Sequence, residues 1–262
     1  FHEMFKPLLF DVLRIDSPDT YRLPADVAQP QDATQYYLNQ LESLLQQHHS
    51  SIAAMIIEPV VQGAAGMIMQ PPGYLVGVRQ LTQKHDVLLI ADEVAVGFGR
   101  TGAMFACNHE NIQPDLMCLA KGLTGGYITM AATLATTEIW NAFLGDSAHT
   151  FYHGHTYGGN PLAAAAAIAN LDIFESEQTM NNVHARTKQL ADLLKPLADH
   201  PHVGDIRQRG LIVAIELVAD KNNKTPFENL GATGSAVCKA VLKKGVWLRP
   251  LRDTIVIMPP LS

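Results

Sequence analysis

The sequence predicts an α/β fold with a mostly parallel sheet in a large domain, followed by part of a small α+β domain. Three observations support this prediction: apolar runs of strand length recur along the chain, segments with helical spacing lie between them, and the composition shifts near Ser176. Strands that alternate with helices are typical of parallel sheets. We therefore expect a large domain over residues 1–175 and a small domain over residues 176–262.

The elements of the large domain follow from the pattern of apolar residues. Residues 1–35 hold several prolines and are expected to be rich in loops. Leucines with helical spacing predict a helix over 35–49, and residues 74–85 show a similar spacing. Continuous apolar runs predict strands buried on both faces, as in parallel sheets, over 52–57, 87–91 and 116–120, with a fourth strand over 130–135.

A helix with small side chains is expected next, because Pro161 follows Asn160 at a suitable start and an alanine run continues to Ala167. The spacing then predicts a second helix over about 180–197 and strands over 211–218 and 254–258.

The composition excludes several classes of protein. Of the 262 residues, 47% are hydrophobic and 17% are charged, which predicts a sizeable core. The net charge of −6 comes without a dense basic stripe, so neither nucleic acid nor a membrane surface is an expected partner. The most apolar stretch, 52–69, is interrupted by polar residues and is not a transmembrane helix. Three widely spaced cysteines indicate a reducing compartment, and we expect a cytoplasmic protein.

Three of the predicted strands end at an ionisable residue: Glu58, Asp92 and Lys121. Taken singly, each could simply mark the polar end of a strand. Ligands of open parallel sheets gather at the carboxyl ends of the strands. The three residues together therefore predict a site at one edge of the sheet.

Lys121 is the most informative of the three. Five apolar residues precede it and a glycine-rich turn follows it. Desolvation disfavours the ammonium form, so a lysine held against an apolar wall can act as a neutral amine and attack an aldehyde. Asp92 would then pair with the protonated nitrogen of a pyridine ring.

Four segments in order resemble the class III aminotransferases, which have the pyridoxal-phosphate-dependent transferase fold of type I. They are residues 57–63 (IEPVVQG), 91–102 (ADEVAVGFGRTG), 119–126 (LAKGLTGG) and 154–162 (GHTYGGNPL). The resemblance extends over essentially the whole chain. It also implies that a phosphate-binding loop of the family lies before Phe1, so we expect the chain to be a fragment.

The resemblance implies a role for each candidate residue. Lys121 is the catalytic residue and the Schiff-base lysine for pyridoxal phosphate, and Asp92 binds the pyridine nitrogen. Val94 packs on the ring. Thr156, preceded by His155, contacts the cofactor phosphate of the neighbouring subunit, which implies a homodimer. Glu58 lines the site and pairs with a substrate-binding arginine.

Within the class, residues 105–110, 152–156 and 245–260 are similar to the branch that acts in biotin biosynthesis. This similarity implies amination of 8-amino-7-oxononanoate, with Arg249 on the substrate carboxylate. Two positions depart from the family: Val96 stands in place of a threonine, and Val256 stands where members that use S-adenosylmethionine tend to have tyrosine. Lysine therefore stays open as the amino donor.

Other interpretations remain open. Another ω-aminotransferase of the class would act on ornithine, acetylornithine or 4-aminobutyrate, and a chain without its phosphate loop could be inert. His149, His153 and His155 lie close together, but their spacing does not suit a metal site, and we expect no metal.

Overall fold

The computed structural model describes residues 3–262. The strands of this part of the chain are β1 Ala54–Ile57, β2 Val61–Gln62, β3 Ile68–Met69, β4 Leu88–Asp92, β5 Leu116–Leu119, β6 Ala132–Ala135, β7 Val203–Arg209, β8 Ile212–Leu217, β9 Arg249–Leu251 and β10 Thr254–Ile257. Its α-helices are α1 Ala33–His48, α2 Tyr74–Lys84, α3 Thr137–Ala142, α4 Pro161–Ser176, α5 Thr179–Leu194 and α6 Ala232–Leu242.

The first sheet has the strand order β1-β4-β5-β6. β4 pairs in parallel with β1 and with β5, whereas β6 runs antiparallel to β5. The prediction of an α/β fold with a mostly parallel sheet is confirmed. All four predicted strands of this sheet are present: β1, β5 and β6 are shorter than their apolar runs, and β4 has the predicted length but is shifted by one residue.

Helices α1 and α2 cover one face of this sheet. Fully buried side chains from both helices, including Tyr37, Leu45 and Leu75, join Leu89 of β4 in a single core cluster. The burial of these side chains is the main force that holds the helices against the strands.

The described residues leave the opposite face of the sheet uncovered. On this face Ile56 of β1 is 63% exposed and Leu88 of β4 is 40% exposed. The prediction of strands buried on both faces is therefore wrong for the chain by itself. Successive residues of a strand point to opposite faces, and the described helices pack closely on only one of them.

A second sheet, β7-β8-β10-β9, is wholly antiparallel. Its apolar face packs against Leu194 of α5 and Cys238 of α6. Ile212 and Ala214 of β8 also belong to the core cluster of the first sheet, so the two sheets share apolar contacts. The domain boundary near Ser176, where α4 ends, stays a prediction.

The remaining elements also follow their sequence signals. Asn160 caps α4 by accepting a hydrogen bond from the Leu162 amide at 3.0 Å, and the helix begins at Pro161 as expected. Residues 195–199 form a 3-10 turn after α5, which is why the predicted helix to residue 197 ends at Leu194. Within residues 3–262, no helix has the length and apolar character required to cross a membrane.

Candidate active site

The register of the first sheet brings the three predicted residues to one edge. Ile57 of β1 lies opposite Ala91 of β4, so Glu58 follows its strand beside Asp92. Asp92 in turn lies opposite Cys118 of β5, and Lys121 comes three residues later. The carboxyl ends of the parallel strands β1, β4 and β5 therefore place two carboxylates and one amine at the same edge, as the sequence predicts.

The three groups also interact electrostatically. Burial raises the pKa of Glu58 above its ordinary value, and the negative charge of Asp92 adds to the rise. The hydrogen bond from the Gly63 amide and the positive charge of Lys121 act in the opposite direction. Glu58 is thus a half-buried carboxyl group whose pKa is affected by the charges of Asp92 and Lys121.

The turn after β1 is held by a side chain that the sequence analysis did not single out. The Gln70 side chain donates to the Glu58 carbonyl at 2.7 Å and accepts from the Val60 amide at 2.9 Å. Val60 has a φ of 67°, which is unfavourable for a β-branched residue, so the turn needs such support. In the sequence, the only indication of this role was that Gln70 is a polar residue directly after the short apolar run 67–69.

Asp92 has one oxygen engaged and one open. Oδ1 accepts a hydrogen bond from the Val94 amide at 3.0 Å, and no described residue donates to Oδ2. Both Asp92 and Val94 are half-buried. The carboxylate is therefore oriented by its own turn while an acceptor remains for a ligand.

Lys121 begins a 3-10 turn, Lys121–Thr124, and has a φ of 45°. Its side chain makes no hydrogen bond or ion pair with any residue from 3 to 262, and it is exposed. The expectation of an apolar wall around Lys121 is therefore wrong for the single chain. Four of the five apolar residues before it lie in β5, and the chain leaves the sheet at Ala120, directly before Lys121.

Glu93, the residue after Asp92, is a buried carboxyl group that sequence reasoning missed. It accepts hydrogen bonds from the amides of Ala106 and Cys107, both at 2.8 Å. Burial raises the pKa of Glu93, and these two amides oppose the rise. Glu93 ties the segment 106–110 to the end of β4. Because Glu93 directly follows the candidate site residue Asp92, its structural role was not evident from the sequence.

The other predicted residues lie on separate elements. His155 and Thr156 belong to the exposed loop 151–159, where His155 Nδ1 accepts from the Tyr157 amide at 3.1 Å. Arg249 is exposed on β9, directly opposite Val256 of β10. In the part of the chain that the structure describes, no hydrogen bond connects these residues to the edge that carries Lys121.

The structure also shows the surroundings of Val96, His149 and His153. Val96 is fully buried in the first core cluster. His149 and His153 each interact with a residue nearby in the sequence: His149 contacts Asp146 at 2.9 Å, and His153 packs against Phe151. Among residues 3–262, no three histidine, cysteine or carboxylate side chains are grouped closely enough to hold a metal ion.

The edge has the groups that pyridoxal phosphate requires for its ring and aldehyde. An unpaired amine suits the aldehyde carbon, and a carboxylate with a free oxygen suits a protonated ring nitrogen. Val94 offers an apolar side chain next to Asp92. The donor set at this edge therefore fits the cofactor.

Comparison with known proteins agrees with this arrangement. The family model described as Aminotransferase class-III matches residues 1–262. The adenosylmethionine-8-amino-7-oxononanoate aminotransferase of Nitratidesulfovibrio vulgaris is 51% identical over 264 residues, which cover 100% of this chain and 48% of the relative. The enzyme of the same name from Geobacter sulfurreducens is 50% identical and is covered to 58%. The chain thus spans about half the length of these curated relatives.

Solved structures show the same similarity. The adenosylmethionine-8-amino-7-oxononanoate aminotransferase of Methanocaldococcus jannaschii superimposes with a TM-score of 0.89 at 42% identity, over 100% of this chain and 58% of the other. An amine transaminase from an uncultivated Pseudomonas species, solved in its PLP-bound form, has a TM-score of 0.88 and 40% identity, over 94% of this chain and 56% of the other. The chain therefore belongs to the class III aminotransferase family.

Proposed function

We propose that this chain forms the catalytic core of a pyridoxal-phosphate-dependent aminotransferase that converts 8-amino-7-oxononanoate to 7,8-diaminononanoate. The observation that carries this proposal is the convergence of Glu58, Asp92 and Lys121 at the carboxyl edge of the first sheet. Pyridoxal phosphate, when bound, supplies an electron sink for the substrate carbon that loses its proton.

Each residue at the edge has a distinct task in this proposal. Lys121 would hold the cofactor aldehyde through its amine, and the same amine would move a proton to and from the substrate carbon. Asp92 would hold the ring nitrogen with Oδ2, since the Val94 amide already binds Oδ1. Val94 would line one face of the ring, and Glu58 would pair with an arginine that binds substrate.

The substrate assignment rests on the relatives and on the second sheet. Curated relatives that carry the 8-amino-7-oxononanoate name are 43–51% identical over the whole chain. Arg249 is exposed with no side-chain partner among the described residues, so it is free to bind a carboxylate.

The amino donor is S-adenosylmethionine or lysine. Val256 lies opposite Arg249, and side chains of such a pair share one face of the sheet. A tyrosine at position 256 would therefore stand beside Arg249. The valine leaves this space apolar and removes a hydroxyl group that could hold the donor.

We also propose that the chain acts in a cytoplasmic homodimer, in which His155 and Thr156 reach the cofactor phosphate of the neighbouring subunit. The apolar side chains around this loop support the proposal. Tyr157 is 77% exposed and Leu162 is 72% exposed, and helix α4 is apolar on nearly every side although only Ala163 and Ala167 are buried. Helices that are apolar all round are normally buried.

Borohydride trapping tests the assignment of Lys121. The chain is incubated with pyridoxal phosphate, reduced and mapped by peptide mass spectrometry. We expect a label on Lys121, which Lys121→Arg removes and Lys239→Arg, a change of an exposed lysine on α6, leaves intact. A label spread evenly over surface lysines would contradict the proposal and favour an inert chain.

A second assay tests the substrate in an active assembly that contains this chain. The acceptor 8-amino-7-oxononanoate is supplied with S-adenosylmethionine or lysine in parallel. We expect 7,8-diaminononanoate from one donor at least. Consumption of ornithine, acetylornithine or 4-aminobutyrate with 2-oxoglutarate, and no product from either donor, would overturn the substrate assignment.

A further inference from the structure

Helix α4 contacts the turn that carries Lys121 through two residues spaced three apart, Ala167 and Asn170. Residues at this spacing lie on the same face of a helix. We propose that Asn170 is a positioning residue that fixes the conformation of the Lys121 turn and so sets where the amine is presented. This inference rests on the proposed function of Lys121.

The side chain of Asn170 binds the turn directly. Its Nδ2 donates to the Gly122 carbonyl at 2.8 Å and to the Leu123 carbonyl at 3.3 Å. The Gly122 carbonyl also accepts from the Gly125 amide at 3.3 Å. For the Leu123 carbonyl, Asn170 is the one hydrogen-bond donor among residues 3–262.

Further contacts leave little space around the turn, both beside the Asn170 side chain and on the side of Phe98. A Cβ atom on Gly125 would lie 2.9 Å from Asn170 Oδ1, so a side chain at position 125 would displace the Asn170 amide. On the other side, a Cβ atom on Gly122 would lie 2.8 Å from Phe98 Cβ. Leu123 packs with Ala167 and Phe98 in one apolar cluster. The turn is therefore held between α4 and the loop after β4.

The turn needs this support because its backbone is unfavourable. Lys121 has a φ of 45°, in the left-handed region that side chains other than glycine rarely adopt. Gly125 and Gly126, with φ values of 60° and 86°, follow it and are exposed. The Asn170 bonds to the next two carbonyls add to the restraints that keep this backbone in place.

The position of Lys121 matters for its proposed chemistry. The amine must meet the aldehyde carbon and later the substrate carbon in a defined geometry, and small displacements of a reacting group lower reaction rates strongly. Asn170 acts on Lys121 only through the backbone, so its effect is on positioning.

Asn170→Asp tests the inference in the chain itself. The aspartate has the same shape but loses the donor and turns an acceptor toward the two carbonyls. Asn170→Leu is a second variant that removes the donor without adding a charge. Asn182→Asp is the matched control, because Asn182 on α5 also donates to a backbone carbonyl, that of Leu261 at 2.7 Å.

Two measurements distinguish positioning from general stability. Amide hydrogen exchange in residues 122–127, without cofactor, should rise about five- to tenfold in both Asn170 variants, the effect of one neutral hydrogen bond. The rate at which Lys121 is labelled by pyridoxal phosphate and borohydride should fall by a similar factor. The Asn182 variant should change neither.

Three outcomes would overturn the inference: unchanged exchange at residues 122–127, exchange that rises uniformly along the chain, or Lys121 labelling that is the same as in the parent protein. If the parent protein takes no label at Lys121, the proposed function fails instead. The exchange experiment then still decides whether Asn170 holds the turn.

Discussion

Glu58 and Asp92 are neighbouring carboxyl groups with different surroundings. Glu58 loses solvent on burial and its pKa is raised, while its Oε2 atom accepts a hydrogen bond from the Gly63 amide at 2.9 Å. A raised folded-state pKa means that burial favours the neutral acid. The contribution of the neutral Glu58 acid to folding stability is present at low pH, and it is lost as the pH rises through the folded-state pKa. Glu58 is therefore suited to exchange a proton.

The first prediction concerns Asp92. In an active assembly that contains this chain, Asp92→Asn should lower kcat about ten- to a hundredfold, because a charge-assisted hydrogen bond contributes ~1.5–3 kcal/mol. Cofactor binding should weaken less than kcat, since the amide has the same shape. Titration of the cofactor and steady-state kinetics measure the two effects. An unchanged kcat with bound cofactor would contradict the role of Asp92.

A second prediction at this scale concerns Arg249. Arg249→Gln should lower kcat/KM for 8-amino-7-oxononanoate about ten- to a hundredfold, as expected from a lost pair of ~1.5–3 kcal/mol with the substrate carboxylate. Arg252→Gln is the control, because Arg252 is also exposed and lies in the adjacent turn between β9 and β10.

An acceptor analogue without the carboxylate separates binding from folding. Arg249→Gln should leave its kcat/KM unchanged. An equal loss for both acceptors would show that Arg249 does not recognise the carboxylate.

At the scale of the elements, Asp115 joins α2 to the strands that carry the site. It accepts two hydrogen bonds from the Arg79 guanidinium, at 2.6 and 2.9 Å, and one from the Leu89 amide at 2.7 Å. Burial raises the pKa of Asp115, but the bonds from Arg79 and Leu89 outweigh burial and hold it below its ordinary value. Asp115 thus connects α2, β4 and the start of β5.

The prediction at this scale is a loss of stability with a defined pH dependence. Asp115→Asn should lower the free energy of unfolding at pH 7 by about 1.5–3 kcal/mol, because one acceptor of the two-bond pair is lost. The folded-state pKa lies below the unfolded one, so this stabilisation is present above the unfolded value and is lost as the pH falls through the folded one.

Urea unfolding at pH 7 and at a pH well below the unfolded-state pKa of about 3.9 measures this prediction, and the difference between parent and variant should shrink at the lower pH. Asp192→Asn is the control, since Asp192 forms an exposed ion pair with Lys195 on the solvent side. Such pairs contribute little. Equal losses for the two variants would contradict the special role of Asp115.

At the scale of the whole molecule, the chain leaves large apolar areas uncovered. One face of the first sheet, most of α4 and the aromatic loop 151–159 are exposed. Parallel sheets are almost always covered on both faces. Exposed areas of this kind mark the places where further protein binds.

The fourth prediction is that two copies of the chain associate through the exposed side of α4. In sedimentation experiments the chain should form dimers, and the double variant Leu162→Glu with Ile168→Glu should shift it to monomers, because both side chains are exposed on α4. Leu193→Glu on α5, at 67% exposure, is the control and should not change the mass. A parent chain that is monomeric at every concentration would contradict the prediction.

Much of this molecule was predictable from local patterns. The strands β1, β4 and β5 follow from apolar runs, and α1, α2, α4 and α5 follow from helical spacing or from the Asn160-Pro161 start. The convergence of Glu58, Asp92 and Lys121 was predictable too, because the carboxyl ends of parallel strands share an edge. The role of Gln70 was not, since it depends on a turn between two strands.

The sequence by itself determined the order of the elements, the family and the residues at the edge of the sheet, since these depend on spacing and on residue type. Only the tertiary structure decided that Lys121 is exposed, that Glu93 is buried beneath segment 106–110 and that Asn170 binds the turn at Gly122. Burial and hydrogen bonding between distant segments depend on how elements pack. Asn170 lies 48 residues from Gly122, so no local pattern could have indicated their contact.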